Sequence, residues 1–452
     1  MNQHVPHAGA GPAVTDNFIP RGDYVSPEFA RAENARLWPK VWQMACRAEE
    51  VAEPGSFVVY EILDESVIIV RAEDGALRAF HNVCPHRGNQ LVAHSGTVKG
   101  FVCGFHGWAW SLAGENIFVK DEGDWAGCPR MQKEDLHLKA VKIGEWGGFV
   151  FINLDPNCES FETFIAPVPT FLDCLEFETM RFVWYKTMPL AGNWKTAMES
   201  FMESYHVYTT HAQVISYLDE ISVSYERGKH GSHGYPNARL LGLPSARSDL
   251  PPPADLRQAY VQAIDDLAQQ TGGPVARVGA GSPRSAEAVK RVLTEVGADA
   301  TIGEIHLAGL RFMQEAAEAD GAGWPTVSAE QGANLGVDWN IFPNMVLVFA
   351  LDSTLVFRAR PDRDDPNKCL FDMWGLMRVA PDKAPPLKRE YYDDWKAHRD
   401  RIPPLLVQDL RNIEKIQRGM SSSAYEGARI NPVQERQIYN HHRVLRQYLE
   451  RD

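Results

Sequence analysis

The segments CPHRG at residues 84–88 and CGFHGW at residues 103–108 decide how this sequence is interpreted. Each supplies one thiolate and one imidazole: Cys84 and His86 in the first, Cys103 and His106 in the second. Thiolates are soft ligands that favour zinc or iron–sulfur clusters, and imidazole ligands change the electronic properties of such a site. Structural zinc sites usually space two cysteines and two histidines in separate pairs, whereas each pair here is mixed. The pattern therefore favours an iron–sulfur site over zinc.

Two cysteines on one iron and two histidines on the other is the ligation of a Rieske 2Fe–2S centre. The spacing and flanks of the two segments resemble the Rieske family. Gly88, Gly104 and Gly107 suit loops that bend closely around a cluster, and Trp108 is placed to shield it from water. Such a cluster only relays electrons, so any bond-making chemistry must reside elsewhere in the chain.

Short strand-like segments surround these loops. Apolar residues alternate or form short runs in SFVVYEIL at 56–63 and SVIIVRA at 66–72, and Asp74-Gly75 predicts a hairpin turn before the next strand. We therefore predict an all-β domain over residues 41–155. The preceding segment, 1–40, is expected to pack on the domain that begins at residue 156.

A second group of metal-binding residue types lies in NWKTAMESFMESYH, residues 193–206. The spacing predicts a helix whose apolar stripe faces the core, formed by Trp194, Met198, Phe201 and Tyr205. Glu203 and His206 are three residues apart and would share a face beside that stripe. A carboxylate and an imidazole against apolar neighbours are costly unless something pairs with them. A satisfied core histidine remains an equally good interpretation of this segment alone.

His211 follows His206 by five residues. On a regular helix the two side chains would diverge by about 140°, so they reach one ion only if the helix bends or ends between them. A third ligand is expected from a distant carboxylate. Asp409 is the first choice because a helix predicted over 404–420 places it on the apolar stripe with Ile413, Ile416 and Met420.

Two neutral histidines and one aspartate form the facial triad of non-haem Fe(II) oxygenases, which leaves one face of the octahedron for O2 and substrate. Two alternatives stay open at this point. Asp409 could pair with a neighbouring arginine or face solvent. The third ligand could instead be one of three rival carboxylates: Asp352, Asp372 or Asp394.

Taken in this order, the two groups resemble the large (alpha) subunit of Rieske non-haem iron ring-hydroxylating oxygenases over nearly the whole chain. NWKxxxExFxExYHxxxxH at 193–211 is similar to that family's mononuclear-iron motif, and VQDLRNIEKIQRGM at 407–420 to its C-terminal carboxylate motif. The resemblance implies one Fe(II) per chain, bound by His206, His211 and Asp409. It also implies one 2Fe–2S cluster per chain, bound by Cys84, His86, Cys103 and His106.

The fold class that the resemblance implies is α+β. An all-β Rieske domain would be joined to a helix-grip catalytic domain, in which an antiparallel sheet wraps around a long helix and an apolar cavity. The catalytic domain would span residues 156–452, with a long insertion near 231–299 that is rich in Pro, Gly and Ser. A stretch of that length is expected to carry its own helices and to border a functional cleft.

The resemblance further implies a homotrimer, alone or with a small beta subunit as an α3β3 assembly. In it the cluster of one subunit faces the iron of its neighbour, and Glu203 looks like the acidic residue that bridges them. Naphthalene-type members have Asp at this position, so Glu203 is similar to the quaternary-ammonium and demethylase branches. Ser200 stands where many members have Asn.

The implied function is that of a terminal oxygenase, an oxidoreductase that uses O2 to hydroxylate an aromatic or other apolar organic substrate. NAD(P)H would supply electrons through a separate reductase, with or without a ferredoxin, because no GxGxxG stretch follows a predicted strand. The alternative is a Rieske monooxygenase or demethylase acting on a quaternary ammonium, ether or amine compound. A non-catalytic electron carrier would not require Glu203, His206 and His211, and a ligand-binding protein would explain neither group of metal-binding residues.

Composition limits the remaining possibilities. The 452 residues carry a formal net charge of −13, so nucleic acid is not an expected partner. Apolar runs such as 345–351 are far shorter than the roughly 20 residues of a membrane span. The sequence MNQHVPHAGAGPAV shows no signal-peptide pattern, and seven cysteines do not suggest a disulfide framework. We therefore expect a cytoplasmic protein without a membrane partner.

Overall fold

The computed structural model of the chain describes residues 17–235, 241–276 and 281–450, without the side chains of 270–276. Residues 1–16 of the predicted N-terminal segment therefore lie outside the described ranges. The chain divides into two compact units. One is Ala32–Phe164, and the other combines the residues up to Arg31 with those from Ile165 onward. The first described elements are β1 (Phe18–Pro20), α1 (Gly22–Val25) and α2 (Pro27–Arg36).

The unit Ala32–Phe164 is built from short strands, as the alternating sequence predicts. They are β2 (Gln43–Arg47), β3 (Ser56–Ile62), β4 (Glu65–Arg71), β5 (Leu77–His81), β6 (Gly96–Thr97), β7 (Phe101–Val102), β8 (Ala109–Trp110), β9 (Asn116–Phe118), β10 (Ala140–Trp146) and β11 (Phe149–Asn153). Seven of them form an antiparallel sheet in the order β2-β11-β10-β5-β4-β3-β6, and β7-β8-β9 form a second, smaller sheet.

The predicted hairpin between β4 and β5 is confirmed. Gly75 has φ of +80°, a conformation that glycine adopts at little cost, and the Ala76 amide donates to Asp74 Oδ1 at 3.0 Å. In this hairpin Arg71 pairs with Leu77, and the central part of β4, residues 67–70, is buried in the core. Each large apolar side chain buried there contributes about 1.5–3 kcal/mol to stability. This packing supports the two loops that carry the cysteines and histidines.

The second unit is centred on an eight-stranded sheet. Its strands are β12 (Met180–Leu190), β13 (Val223–Arg227), β14 (His230–Gly234), β15 (Asp338–Ile341), β16 (Met345–Phe349), β17 (Ser353–Pro361), β18 (Cys369–Arg378) and β19 (Arg389–Tyr391). The order is β13-β14-β15-β16-β17-β18-β12-β19, and every pairing is antiparallel except that of β12 with β19. A separate two-stranded ribbon pairs β1 with β20 (Gly427–Arg429).

The remaining helices of the chain follow in sequence order. They are α3 (Phe161–Ile165), α4 (Val168–Leu172), α5 (Trp194–Glu199), α6 (Val207–Thr210), α7 (Leu256–Ala276), α8 (Pro283–Ala288), α9 (Val292–Glu295), α10 (Ile302–Ala319), α11 (Ala329–Asn334), α12 (Pro404–Met420) and α13 (Arg436–Leu449). Helix α5 packs on β17 and β18, α13 packs on β13 and β14, and α12 packs on α5 and α7. The α+β class with an antiparallel catalytic sheet is therefore confirmed.

The prediction of one continuous helix over 193–206 is wrong. Helix α5 ends at Glu199, and the next amides, of Phe201 and Met202, bond back only three residues, which tightens and ends the helix. The carboxylate of Glu203 then accepts from the His206 amide at 3.0 Å, so a side chain replaces the helical backbone acceptor. Tyr205 is consequently 49% exposed and does not continue the buried stripe.

Helix α12 has the predicted bounds, and Asp409 and Ile413 are buried on it. Ile416, assigned to the same stripe, is instead 43% exposed. The stretch 231–299 begins within β14, which belongs to the sheet, and then carries α7, α8 and α9. Residues 236–240 of it lie outside the described ranges. Within the described part of the chain, no helix has both the length and the apolar character to cross a membrane.

Candidate metal centres and substrate cavity

The loops that carry Cys84 and Cys103 are built alike. The Gly88 amide donates to the Cys84 carbonyl at 3.0 Å, and the Gly107 amide donates to the Cys103 carbonyl at 2.9 Å. Both glycines have positive φ, +76° and +77°, so each loop turns sharply four residues after its cysteine. Gly104 does not share this conformation. The two loops thus present one thiol and one imidazole each in equivalent positions.

The two histidines of these loops each have a buried ring nitrogen without a protein partner in the described part of the chain. His86 Nδ1 and His106 Nδ1 are buried and have no hydrogen-bond partner among the described residues, and the two ring centroids are 4.6 Å apart. Neither Cys84 nor Cys103 forms a disulfide, and both are buried. Buried polar atoms without partners are costly. These two sulfur and two nitrogen atoms therefore fit as ligands of the two irons of a bound cluster.

Aromatic rings cover the first histidine of this site. The His86 ring stacks on Trp108 with centroids 4.8 Å apart and planes 10° apart, and Trp125 meets it edge-on at 5.7 Å. Trp108 is therefore placed where the sequence predicts a shielding residue. An apolar shell of this kind limits water access and raises the influence of nearby hydrogen bonds on a cluster's potential.

The second group of metal-binding residues lies in the unit that contains the large sheet. His206 Nε2, His211 Nε2 and Asp409 Oδ1 converge, with separations of 3.3 Å between the histidines and of 3.5 and 3.1 Å from them to the aspartate. Three ligands at about 2.1 Å and right angles around one ion would be about 3 Å apart. His211 ends α6 with non-helical ψ of 45°, which is the bend that a shared ion requires. The geometry fits an octahedral metal with one face open.

The tautomers of the two histidines also fit a cation. His206 Nδ1 lies 2.6 Å from Glu203 Oε1, and His211 Nδ1 lies 2.7 Å from Gln408 Oε1. Because both partners accept, each Nδ1 carries a proton and each Nε2 presents a lone pair. Two lone pairs and a carboxylate oxygen therefore face one another, an arrangement that repels itself unless a positive charge sits between them.

The charge balance supports the same conclusion. Burial would lower the pKa of His206, but the carboxylates of Glu203 and Asp409 raise it to about 9. The side chains of Glu203 and Asp409 are only 9% and 6% exposed. Two buried carboxylates beside two imidazoles require a compensating cation, and a metal ion supplies it without the proton.

The three rival carboxylates have other partners. Asp352 accepts from the hydroxyls of Ser282 and Ser285, and Asp394 accepts from the Lys396 amide at 3.0 Å as the first residue of a short turn. Asp372 accepts from Arg358 Nη2 at 2.7 Å and from Thr187 Oγ1 at 2.6 Å. None of them belongs to the converging group. The sequence favours Asp409 because of its place on the apolar stripe of a helix, but only the fold shows that the other three aspartates have different partners.

Asp372 is expected to serve stability. Burial alone would raise the pKa of Asp372, but Arg358 and Arg360 lower it. The ionised carboxylate therefore stabilises the fold at pH values above the ordinary carboxyl pKa. This stabilisation is lost as the pH falls through the lowered pKa. Asp372→Ala should reduce the free energy of unfolding by about 3–5 kcal/mol, because it removes the carboxylate that neutralises two guanidinium groups in a buried site. Denaturant titration measures this loss. The exposed Asp364→Ala should change it by less than about 0.5 kcal/mol, and equal effects would contradict the assignment.

An apolar cavity of about 440 Å³ opens beside the converging group, and His206, His211 and Asp409 form part of its wall. Phe201 and Val207, which flank the segment of the first histidine, are part of the same wall. Apolar side chains supply most of the wall: Val214, Leu218, Leu241, Leu267, Val348, Phe349, Leu355, Phe357, Leu405 and Leu406. Leu241 and Leu267 come from the stretch 231–299, which therefore borders the cleft.

Glu203 lies between this cavity and an open depression of about 340 Å³ on the surface of the same unit. Glu199 and Glu435 line the depression with it. Ser200 contributes to both walls, and its hydroxyl donates to the Thr196 carbonyl at 3.0 Å within α5. One carboxylate thus contacts His206 on the inner side and is accessible from the outer side.

Several polar residues of the site could not be found from the sequence. Gln408 precedes Asp409 directly, but only the fold shows that it contacts His211. Ser204, His233, Tyr235 and Asp338 also line the cavity, and they come from three separate segments of the chain. No spacing rule connects them.

The cluster-type loops and the cavity with its two histidines and one aspartate define a two-domain protein of the Rieske class, with one candidate metal centre in each unit. Residues 41–124 match the family model of the Rieske 2Fe-2S domain, and residues 177–451 match that of the ring hydroxylating alpha subunit, catalytic domain. The second match covers more than half of the chain. The protein belongs to the ring-hydroxylating alpha subunit family, whose cofactors are a Rieske 2Fe–2S cluster and a mononuclear iron.

Curated relatives include both monooxygenases and dioxygenases. The oxygenase subunit of carnitine monooxygenase from Escherichia coli is 31% identical over 219 residues, which are 48% of this chain and 56% of that protein. The large subunit of anthranilate 1,2-dioxygenase from Acinetobacter baylyi is 32% identical over 207 residues, 44% of this chain and 43% of that protein. The chain thus matches about half the length of these relatives.

Solved structures share the fold along nearly the whole chain. A quaternary ammonium Rieske monooxygenase in complex with L-carnitine superposes with a TM-score of 0.62 at 18% identity, covering 96% of both chains. Naphthalene 1,2-dioxygenase with indole bound in its active site gives a TM-score of 0.62 at 17% identity, covering 96% of this chain and 92% of that one.

Proposed function

We propose that this protein is the terminal oxygenase component of an electron-transfer system and hydroxylates an aromatic or other apolar organic substrate with O2. The observation that carries the proposal is the convergence of His206, His211 and Asp409 on the wall of an apolar cavity, in a chain that also has a Rieske domain. We assign these three residues as ligands of the mononuclear iron. Cys84, His86, Cys103 and His106 are assigned as ligands of the cluster.

The residues around the iron site would have two roles, to orient the metal ligands and to hold the substrate. When bound, the iron supplies a centre for O2 activation, and the cluster supplies electrons. His206 and His211 hold their lone pairs toward the metal because Glu203 and Gln408 fix the opposite ring nitrogens. The apolar wall, including Phe201 and Phe357, excludes water and holds an organic substrate beside the open coordination face.

Gln408 is expected to tune iron binding without being a ligand. Gln408→Leu removes the acceptor of the His211 Nδ1 proton, so the imidazole loses its fixed tautomer and orientation. Iron affinity should fall about 10–100-fold, as for other residues that orient a metal ligand. Competition with a chelator, followed by iron analysis, measures this. Gln314→Leu is the matched control because Gln314 is exposed on α10 and donates to Glu318; an equal loss in both variants would contradict the role.

Glu203 is proposed to bridge the two centres between subunits of a homotrimer, alone or with a beta subunit. Its carboxylate contacts His206 inside and lines the surface depression outside. Glu203→Gln should keep cluster and iron but slow reoxidation of the cluster by at least about 10-fold, since charge-assisted hydrogen bonding is lost. Stopped-flow absorbance during single turnover measures this rate. Glu199→Gln, in the same depression, serves as control, and unchanged reoxidation in Glu203→Gln would remove it from the path.

The electron donors would be a separate reductase, with or without a ferredoxin, that draws electrons from NAD(P)H. The proposed location is the cytoplasm, where such donors operate. The proposed domain boundaries are 1–40, 41–155 and 156–452. The decisive experiment for the activity is single turnover: chemically reduced protein mixed with O2 and substrate should form oxygenated product without any reductase. Cluster that stays reduced, with no product from any compound tested, would favour a pure electron carrier.

A second candidate function is a monooxygenase or demethylase acting on a quaternary ammonium, ether or amine compound. Relatives named as carnitine and glycine betaine monooxygenases favour it. Glu203 agrees with that branch, and aromatic rings such as Phe201 and Phe357 in the cavity wall can bind cations. Turnover assays with L-carnitine, glycine betaine and anthranilate separate the two candidates by which substrate yields product.

A further inference from the structure

A chain of buried hydrogen bonds runs along one side of the cavity. The Tyr235 hydroxyl lies 3.3 Å from Ser204 Oγ, which lies 2.8 Å from His233 Nε2. His233 Nδ1 in turn lies 3.2 Å from Asp338 Oδ1. All four residues line the cavity, and Ser204, His233 and Asp338 are at most 5% exposed. This polar relay stands out in a wall that is otherwise mainly apolar.

Gln437 fixes the direction of the relay at its inner end. Its Nε2 donates to the Met202 carbonyl and, at 3.1 Å, to Asp338 Oδ1. The two amide protons point to Met202 and Asp338, so Gln437 Nε2, 3.3 Å from His233 Nδ1, has no further proton to donate to that nitrogen. His233 Nδ1 therefore carries the proton that Asp338 accepts.

The remaining directions follow from a neutral imidazole. A neutral imidazole has one ring proton, which His233 carries on Nδ1. His233 Nε2 then accepts from the Ser204 hydroxyl. Ser204 has only one proton to give, so it accepts from Tyr235. Each hydrogen bond of the chain is thus donated in the direction of Asp338. The Tyr235 oxygen, at the other end, keeps lone pairs that can accept a hydrogen bond from a molecule in the cavity.

A second acceptor lies on the wall formed by α10. His306 Nε2 is 2.9 Å from the Leu241 carbonyl, which can only accept, so Nε2 carries the proton. Burial lowers the pKa of His306, which keeps the ring neutral and leaves a lone pair on Nδ1. Among the described residues that line the cavity there is no lysine or arginine.

We propose that Tyr235, oriented by Ser204, His233 and Asp338, determines specificity by accepting a hydrogen bond from an N–H or O–H group of the substrate, with His306 as a second acceptor. The substrate class is therefore an apolar compound that carries a hydrogen-bond donor, rather than an apolar carboxylic acid. This inference rests on the proposed function because it assigns the same cavity to the substrate.

The test compares indole with benzofuran, two bicyclic probes of nearly equal shape in which an N–H donor is replaced by an ether oxygen. Dissociation constants are measured by anaerobic calorimetry on the full chain loaded with its metals. Indole should bind about 10-fold more tightly than benzofuran, the ratio expected for one net hydrogen bond. In Tyr235→Phe and in Ser204→Ala the ratio should fall below about threefold. Tyr217→Phe removes a buried phenol that does not line the cavity, so it should keep the preference.

Equal binding of both probes, tighter binding of benzofuran, or no binding of either would overturn the inference. An unchanged ratio in both Tyr235→Phe and Ser204→Ala would do the same. Iron and sulfide are determined for every preparation. Absence of the metal centres would refute the proposed function, whereas intact centres with no preference for indole would refute only the assignment of Tyr235.

Discussion

Replacing Asp409 by alanine is expected to leave two irons per chain in place of three, with the cluster intact. The change removes the one carboxylate oxygen that faces both His206 Nε2 and His211 Nε2. Two neutral imidazoles alone neither neutralise a divalent cation nor complete a facial set of ligands. Product formation should fall by at least roughly 100-fold, more than for residues that only orient a ligand.

Iron analysis and the visible spectrum measure both parts of this result. The matched control is Glu414→Ala, which removes a carboxylate of the same helix that contacts Trp395 and Lys396 instead. It should retain all iron and most of the activity. An Asp409→Ala protein that keeps its full iron content and its turnover would show that the third ligand has been misassigned.

Replacing Cys103 by serine is expected to abolish the cluster. The alkoxide of serine is a far poorer ligand for iron than a thiolate, and the other three ligands lie in loops shaped around four contacts. Acid-labile sulfide should fall from two per chain to none, and the absorbance of the cluster should disappear. Turnover with reductase should cease, because no cluster remains to deliver electrons to the iron.

The control for this variant is Cys128→Ser, which changes an exposed thiol in the same unit. It should retain sulfide, colour and activity. The mononuclear iron provides an internal control, since Cys103→Ser should still bind one iron at His206, His211 and Asp409. Retention of a normal Rieske spectrum in Cys103→Ser would contradict the ligand assignment.

The sequence was sufficient for those elements whose periodicity is strong. Helix α12 has a regular apolar stripe and begins at Pro404, a residue suited to a first helical turn, so its bounds could be predicted. The cysteine–histidine loops were recognisable because their ligand types and glycines lie close together in the chain.

The remaining features depend on contacts that no local pattern records. The helix predicted over 193–206 ends at Glu199, where the amides of Phe201 and Met202 bond back only three residues, a change that periodicity does not reveal. Ile416 keeps the helical spacing but faces away from the packed side of α12. The relay that ends at Asp338 joins residues from four separate segments, including Gln437 on α13. Tertiary packing alone brings them together.

The determination of iron, acid-labile sulfide and zinc per chain in anaerobically purified protein tests the central claim most directly. A chain with one 2Fe–2S cluster and one mononuclear iron contains three irons and two sulfides, and its cluster is visibly coloured. Protein that contains only zinc, or that stays colourless after reconstitution with iron and sulfide, would contradict the claim.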